Sequence, residues 1–218
     1  MFRVLGLSFF VAFLAAVYVV LVSRHADLAI AGRRIYDVAD KGDVAALIPL
    51  LAQRIDKHVL NWSNSDLMGW TPLIISAAKG NWEVVKALLA APGIDINKAN
   101  HKGRTAITMA AFDDHIEVVR ALLAAPGIDI NKADTEYGMT AIMCAGSFGY
   151  IEVVRALLAA PGIDVNKADK DGWTALLWAS QKRHHEVVRA LLAAPGIVVN
   201  QVSVQGSGSN KTDIQTRS

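Results

Sequence analysis

Few residues in the chain are grouped in a way that could carry out chemistry. The densest cluster of candidate metal ligands is His184-His185-Glu186. Adjacent histidines point in different directions on a helix, and the HExxH spacing that places two histidines on one face is absent. Glu186 also recurs at the same place in three earlier segments, as Glu83, Glu117 and Glu152, which favours a structural role. We therefore predict no metal site.

Cys144 is the only cysteine, so it can form neither an internal disulfide nor a multi-cysteine metal site. It lies in an alanine-rich stretch without an evident basic partner, which is typical of a small core residue rather than a nucleophile. Asp95, Asp129 and Asp164 recur at predicted turns, where aspartate bonds to the backbone. No phosphate loop, catalytic triad or dinucleotide fingerprint is present. We predict no catalytic residue, no cofactor and no enzymatic activity.

The charge of the chain also limits its function. The 218 residues include 22 basic and 20 acidic side chains, with a formal net charge of +2. The basic residues are scattered, whereas binding to a phosphate backbone needs them clustered on one surface. A nucleic-acid partner is therefore not expected.

The N-terminus carries an apolar segment. Val4 to Val22 contains 19 residues without a charge, and as a helix it would be about 28 Å long, close to the ~30 Å hydrocarbon core of a bilayer. Signal peptides have shorter apolar stretches of about 7–15 residues, so we predict an uncleaved single-pass transmembrane helix. The alternative is cleavage after Ala29-Ile30-Ala31, which would release a secreted or periplasmic protein. Arginines on the C-terminal side of the segment weakly favour a cytoplasmic location for the remainder of the chain.

One sequence block recurs four times. EVVRALLAAPGIDINKAD begins at Glu117, and close copies begin at Glu83, Glu152 and Glu186. The prolines of these blocks, Pro92, Pro126, Pro161 and Pro195, are 34, 35 and 34 residues apart. A unit this short cannot bury its own apolar face, so neighbouring units must stack to form one continuous core.

Each unit is predicted to contain two helices. In the second unit, Ala106, Ile107, Ala110 and Ala111 have helical spacing, and Val118, Val119, Leu122 and Leu123 repeat this spacing on a second helix. Pro126-Gly127 ends that helix, because proline cannot continue it and glycine accepts positive φ. Two antiparallel helices and a turn every 34 residues or so predict an all-α fold, an α-solenoid.

These motifs resemble the ankyrin-repeat family. The segment GWTPLIISAAKG, from Gly69 to Gly80, matches the family pattern G-x-T-P-L-H-x-A-A-x-x-G, and the V-V-x-x-L-L and D-I-N portions also match. The chain departs from the pattern where Asp114 and Arg183 replace a glycine after the first helix. Positive φ at these two positions would cost about 1 kcal/mol each.

The resemblance and the composition divide the chain into four parts. Residues 1–31 are a membrane anchor or signal segment, 32–68 a degenerate N-terminal capping repeat, 69–200 four ankyrin repeats, and 201–218 a polar tail predicted to be disordered. The last repeat keeps Val187, Val188, Leu191 and Leu192 where a solvent-facing cap needs polar residues. We therefore predict an exposed apolar C-terminal end, which is either a docking surface for a partner or a tolerated defect.

Residues that differ among near-identical repeats are free of the stacking requirement. They lie at the loop tips and at the ends of the first helices, and the resemblance implies that these two regions line a concave surface that binds protein partners. Aromatic residues, Met and Arg are enriched in interfaces. For Trp70 and Trp173, packing on their own loops is an equally good interpretation. The predicted partner-binding residues are Trp70, His101, Lys102, Arg104, Phe112, Asp113, Tyr137, Met139, Phe148, Lys170, Asp171, Trp173 and Lys182.

The sequence therefore predicts a membrane-tethered ankyrin-repeat scaffold or adaptor that recruits a protein partner without catalysis. A second hypothesis is an accessory structural subunit of a larger membrane protein complex. A third is a secreted or periplasmic ankyrin protein released by cleavage after Ala31.

Overall fold

The computed structural model describes residues 26–53 and 55–199. The first helix, α1, covers residues 26–41. It is followed by α2 (Val44–Leu51), α3 (Lys57–Leu60), a 3-10 turn (Ser65–Leu67), α4 (Pro72–Ala78), α5 (Trp82–Leu89), α6 (Ala106–Phe112), α7 (Ile116–Leu123), α8 (Ala141–Phe148), α9 (Ile151–Leu158), α10 (Ala175–Gln181) and α11 (His185–Leu192).

The helices form two layers. We call α4, α6, α8 and α10 the inner helices and α5, α7, α9 and α11 the outer helices of repeats 1 to 4. Each inner helix packs on the next inner helix, each outer helix on the next outer helix, and the two helices of a repeat on each other. One continuous apolar core runs between the layers. The all-helical solenoid predicted from the period is confirmed.

Each inner helix begins at a threonine. The side-chain oxygens of Thr71, Thr105 and Thr174 accept a hydrogen bond from the backbone N–H three residues later, the usual way to satisfy a free N–H at a helix start. Thr140 is the exception, because its Oγ1 is buried and has no hydrogen-bond partner in the described part of the chain. The threonines thus fix where three of the four inner helices start.

The outer helices bury one apolar face. Val118, Val119 and Leu122 of α7 are at most 1% exposed, and the same three positions are buried in α5 and α9. Glutamate and lysine or arginine occupy the opposite face. Each outer helix is followed by a Pro-Gly turn whose glycine has a φ between 73° and 88°, a conformation that glycine adopts without steric cost.

An asparagine ladder joins the repeats along the turns that follow the outer helices. The side-chain amide of Asn131 donates to Gly162 O at 2.7 Å, and its carbonyl accepts from Asp164 N at 2.8 Å. Equivalent pairs of hydrogen bonds are made by Asn61, Asn97 and Asn166. Lys98, Lys132 and Lys167 add a bond from Nζ to the backbone carbonyl of the preceding ladder asparagine. The ladder explains why the Asn-Lys pair recurs.

A second link lies at the loop between the two helices of a repeat. His115 Nε2 is 2.9 Å from Ala78 O of the preceding repeat, and His184 Nε2 is 3.1 Å from Ser147 O. Each ring covers a glycine: a Cβ added at Gly80 or Gly149 would lie 2.6 Å or 2.5 Å from the imidazole. These glycines have positive φ, as do Asp114 (60°) and Arg183 (61°) at the equivalent positions. The predicted left-handed conformation of the two non-glycine residues is confirmed.

The described residues include no helix with the length and apolar character needed to cross a membrane. The predicted membrane segment, Val4 to Val22, and the predicted disordered tail, 201–218, lie outside the described residues. The predicted boundary between residues 31 and 32 falls within α1. Ile35 and Tyr36 of α1 and Leu47 of α2 are buried, so these two helices continue the core at its N-terminal end.

The C-terminal repeat exposes apolar side chains that interior repeats bury. Val199 is 61% exposed, whereas Ile130 and Val165, at the same place in repeats 2 and 3, are each 6% exposed. Leu192 is 47% exposed. Docking of a partner on this end stays a prediction.

Candidate functional site

A groove of about 240 Å³ opens at the inner helices of repeats 2, 3 and 4. Three inner helices and the loops before α6 and α8 supply its walls. We call this the inner groove and define it by its lining: Arg104, Thr108, Met109, Phe112, Asp134, Met139, Cys144, Ser147, Phe148, Trp178 and Lys182.

The loop before each inner helix is held by an asparagine or aspartate side chain. Asn100 Oδ1 accepts from Lys102 N and Arg104 N, and Asp169 Oδ1 accepts from Asp171 N and Trp173 N. Asp134 Oδ1 accepts from the backbone N–H groups of residues 137, 138 and 139. Such side-chain-to-backbone bonds fix turns without strand pairing, so these side chains determine where the loop tips present their residues.

Aromatic side chains form one wall of the inner groove. The rings of Phe112 and Phe148 meet edge to face with centroids 5.0 Å apart, and Tyr150 stacks on Phe148 at 5.6 Å. Phe112 is 37% and Phe148 46% exposed. Exposed aromatic rings fixed by neighbouring rings offer apolar area that a partner can cover at little entropic cost.

Charged groups surround this wall. Arg104 Nε lies 3.5 Å from Asp134 Oδ2, and Arg104 Nη2 lies 3.6 Å from Glu136 Oε2. The guanidinium carbon of Arg104 is also 5.9 Å from the Phe112 ring centroid. A hydrogen bond from Lys102, at 2.9 Å, lowers the pKa of the Glu136 carboxyl. Lys182 has no ion-pair partner among the described residues, and its ammonium group is therefore free to meet a ligand.

Five of the thirteen predicted partner-binding residues line the inner groove: Arg104, Phe112, Met139, Phe148 and Lys182. Lys102 adjoins it through its ion pair with Glu136. Asp113 is exposed beside Phe112, and desolvation raises the pKa of its carboxyl while His115 partly offsets the rise. The thirteen residues thus fall partly in one place and partly along the neighbouring loops.

The other predicted residues lie outside the lining. Trp70 is half-buried and packs against the core, and Trp173 packs on Trp178 with ring centroids 5.1 Å apart. The His101 ring covers Gly69 of the preceding loop. Tyr137, Lys170 and Asp171 are exposed at the loop tips.

Sequence reasoning missed five lining residues: Thr108, Met109, Asp134, Cys144 and Trp178. One signal could have found three of them. The fourth residue after the starting threonine of each inner helix is Ile75, Met109, Cys144 or Trp178, so this position varies as much as the loop tips do. Met109 and Cys144 are buried against the groove floor, whereas Trp178 is only half-buried.

The groove lining includes the one cysteine of the sequence, Cys144. Burial raises the pKa of the Cys144 thiol to about 12, so the thiol stays protonated near neutral pH. In residues 26–53 and 55–199, no three His, Cys, Asp or Glu side chains are grouped to hold a metal ion. His184, the first residue of the His184-His185-Glu186 cluster, has its ring Nε2 3.1 Å from Ser147 O of repeat 3.

Stacked two-helix repeats with a variable inner surface define a class of protein built to bind other macromolecules. A family model described as ankyrin repeats (3 copies) matches residues 35–134 and 131–203, well over half of the chain. The chain belongs to the ankyrin-repeat family, whose members are generally non-catalytic modules for protein–protein interaction. No curated protein matches the chain.

Proposed function

We propose that this protein is a membrane-tethered scaffold that binds a protein partner at the inner groove and catalyses no reaction. The observation that carries the proposal is the convergence of Arg104, Phe112, Met139, Phe148 and Lys182 on one groove. These residues vary among repeats whose stacking residues are nearly identical. Binding energy at interfaces concentrates in such clusters of aromatic and arginine side chains.

The membrane part of the proposal rests on the apolar run from Val4 to Val22. Its length suits a bilayer-spanning helix, and the arginines that follow it favour placing the repeats on the cytoplasmic side. A tether of this kind raises the local concentration of a partner that is bound at the same membrane. Cleavage after Ala31 would cut within α1, which argues against release as a secreted protein.

A pair of variants tests the binding surface. The tagged chain is used for affinity capture from intact membranes, with Phe112→Ala and Phe148→Ala combined in one variant. Trp82→Ala is the matched control, because Trp82 is 40% exposed on an outer helix. We expect the parent and the control to capture the same partner, and the double variant to lose it while circular dichroism shows unchanged helicity. Retention of the partner by the double variant would contradict the proposal, as would a parallel loss of helicity and binding.

A separate measurement tests the tether. Mass analysis of the mature protein should find Val4 to Val22 still attached, and alkaline extraction should leave the protein in the membrane pellet. A mature N-terminus at Gly32 would instead support the secreted alternative.

A further inference from the structure

Repeat 4 contains an internal hydrogen bond that has no counterpart in repeat 3. Asp169 Oδ1 holds the loop before α10, and Asp169 Oδ2 accepts a hydrogen bond from the indole Nε1 of Trp178 at 2.8 Å. Trp178 is the fourth residue after the starting threonine of α10. Both oxygens of this carboxylate are therefore satisfied within the repeat.

In repeat 3 the same carboxylate belongs to Asp134, but the residue at the place of Trp178 is Cys144. Asp134 Oδ1 holds the loop, as in repeat 4. Asp134 Oδ2 accepts no hydrogen bond from the described residues, and its nearest cation, Arg104 Nε, is 3.5 Å away. That distance exceeds the 2.7–3.2 Å or so of an N–H···O hydrogen bond. The side chain is only 2% exposed, and this oxygen has an ion-pair partner in Arg104 but receives no hydrogen bond from the described residues.

The inner groove borders position 144, the place that Trp178 occupies in repeat 4. Asp134, Met139 and Cys144 all line it. Its volume of about 240 Å³ is below the ~300–1,000 Å³ of most small-molecule sites. A space of this size suits one large side chain better than a whole metabolite. Arg104 and Lys182 also line it, so a cationic side chain would meet two positive charges.

We propose that the inner groove binds the indole ring of a tryptophan on the partner protein, with the indole N–H donating to Asp134 Oδ2. The inference rests on the proposed function and names the partner's recognition group. The ring would lie against Phe148, Met109 and Met139, since aromatic edges and methionine sulfur both pack favourably on an indole. Repeat 4 shows the same contact made within one chain by Trp178 and Asp169.

The test uses the full-length chain with its methionine methyl groups labelled with 13C. The probe is N-acetyl-tryptophanamide, compared with N-acetyl-phenylalaninamide, which has a ring but no N–H donor on it. We expect the tryptophan probe to shift the methyl signals of Met109 and Met139, which line the groove, and to leave that of Met143, which is 1% exposed in the core, unchanged. We also expect it to bind about tenfold more tightly than the phenylalanine probe, since a donor to a buried charged acceptor is gained.

Two variants distinguish the hydrogen bond to Asp134 Oδ2 from nonspecific apolar binding. Asp134→Asn keeps an oxygen to hold the loop, as Asn100 does in repeat 2, but replaces the second oxygen, Oδ2, with an NH2 group. It should remove the preference for tryptophan over phenylalanine. Cys144→Trp should fill the groove from within and abolish binding of both probes, while the variant stays folded. An equal affinity of Asp134→Asn and parent for the tryptophan probe would overturn the inference, and so would shifts confined to methionines outside the groove.

The outcome also distinguishes this inference from the proposed function. If Phe112 and Phe148 are needed for partner capture but the tryptophan probe does not bind, the groove is an interface and the tryptophan inference is wrong. If the probe binds as expected while the phenylalanine variants still capture the partner, the groove's preference for indole is supported and the proposed binding surface is wrong.

Discussion

Replacing Asn131 with alanine should destabilise the protein through the asparagine ladder. The substitution removes two hydrogen bonds between repeats, of 2.7 Å to Gly162 O and 2.8 Å from Asp164 N. Each contributes a net 0.5–1.5 kcal/mol or so, so we expect the free energy of unfolding to fall by about 1–3 kcal/mol. The bond from Lys167 Nζ to the Asn131 backbone carbonyl should remain.

Urea unfolding followed by circular dichroism measures this change. Asn131→Asp keeps the acceptor oxygen and loses the donor, so it should cost at least half as much as the alanine variant. Asn97→Ala provides a matched comparison, because its two bonds have lengths of 2.7 and 2.8 Å. A loss below about 0.5 kcal/mol for Asn131→Ala would refute the reasoning, since it would show that solvent replaces both bonds at no cost.

The remaining predictions concern backbone conformation, thiol reactivity and the pH dependence of stability. Asp114→Gly should raise the free energy of unfolding by about 1 kcal/mol, because Asp114 has a φ of 60°. Gly149→Ala should lower the free energy of unfolding, because the added Cβ would lie 2.5 Å from the His184 ring. Thermal unfolding measures both changes. The Cys144 thiol should resist iodoacetamide at neutral pH in the folded chain. Its pKa rises from 9.0 to about 12 on folding, so the folded chain binds more protons in that range and stability should fall as the pH increases from 9 towards 12. Cys144→Ala should remove this part of the pH dependence, whereas an equal slope in parent and variant would contradict it.

The architecture was predictable because the same apolar positions recur in every repeat of the sequence. Val118, Val119 and Leu122 recur at a helical spacing in every unit, and only stacking buries them all. Even the irregular positions could be predicted, since Asp114 and Arg183 stand where the other repeats have glycine, and both have positive φ.

The groove was only partly predictable. Met109 and Cys144 look like ordinary core residues, and whether an inner-helix side chain meets the next repeat or open space depends on the shape of the loop beside it. The loop from Asp134 to Thr140 is one residue longer than the loop from Asp169 to Thr174. Asp134 Oδ2 receives no hydrogen bond from the described residues, which depends on contacts in three dimensions, because the sequence presents Asp134 as one more turn aspartate.

The loop-tip tryptophans Trp70 and Trp173 show the same dependence on contacts in three dimensions. Trp70 packs against the core and Trp173 against Trp178. Neither lines the groove, although both occupy variable positions. A variable position is therefore not sufficient to place a residue in the inner groove, because a long aromatic side chain can fold back on its own repeat.

The contact between a histidine ring and the glycine of the preceding repeat also affects the order in which the repeats can stack. Outer helices that are almost copies of one another could pair with a unit two places away. If repeat 4 skipped repeat 3 and settled on repeat 2, the His184 ring would meet Asp114 instead of Gly149. A Cβ at the position of Gly149 would lie 2.5 Å from the His184 ring, so the mispaired arrangement would contain a steric clash between that ring and Asp114. The Asp114 substitution, which weakens the repeat pattern, thereby helps repeat 4 recognise its proper neighbour.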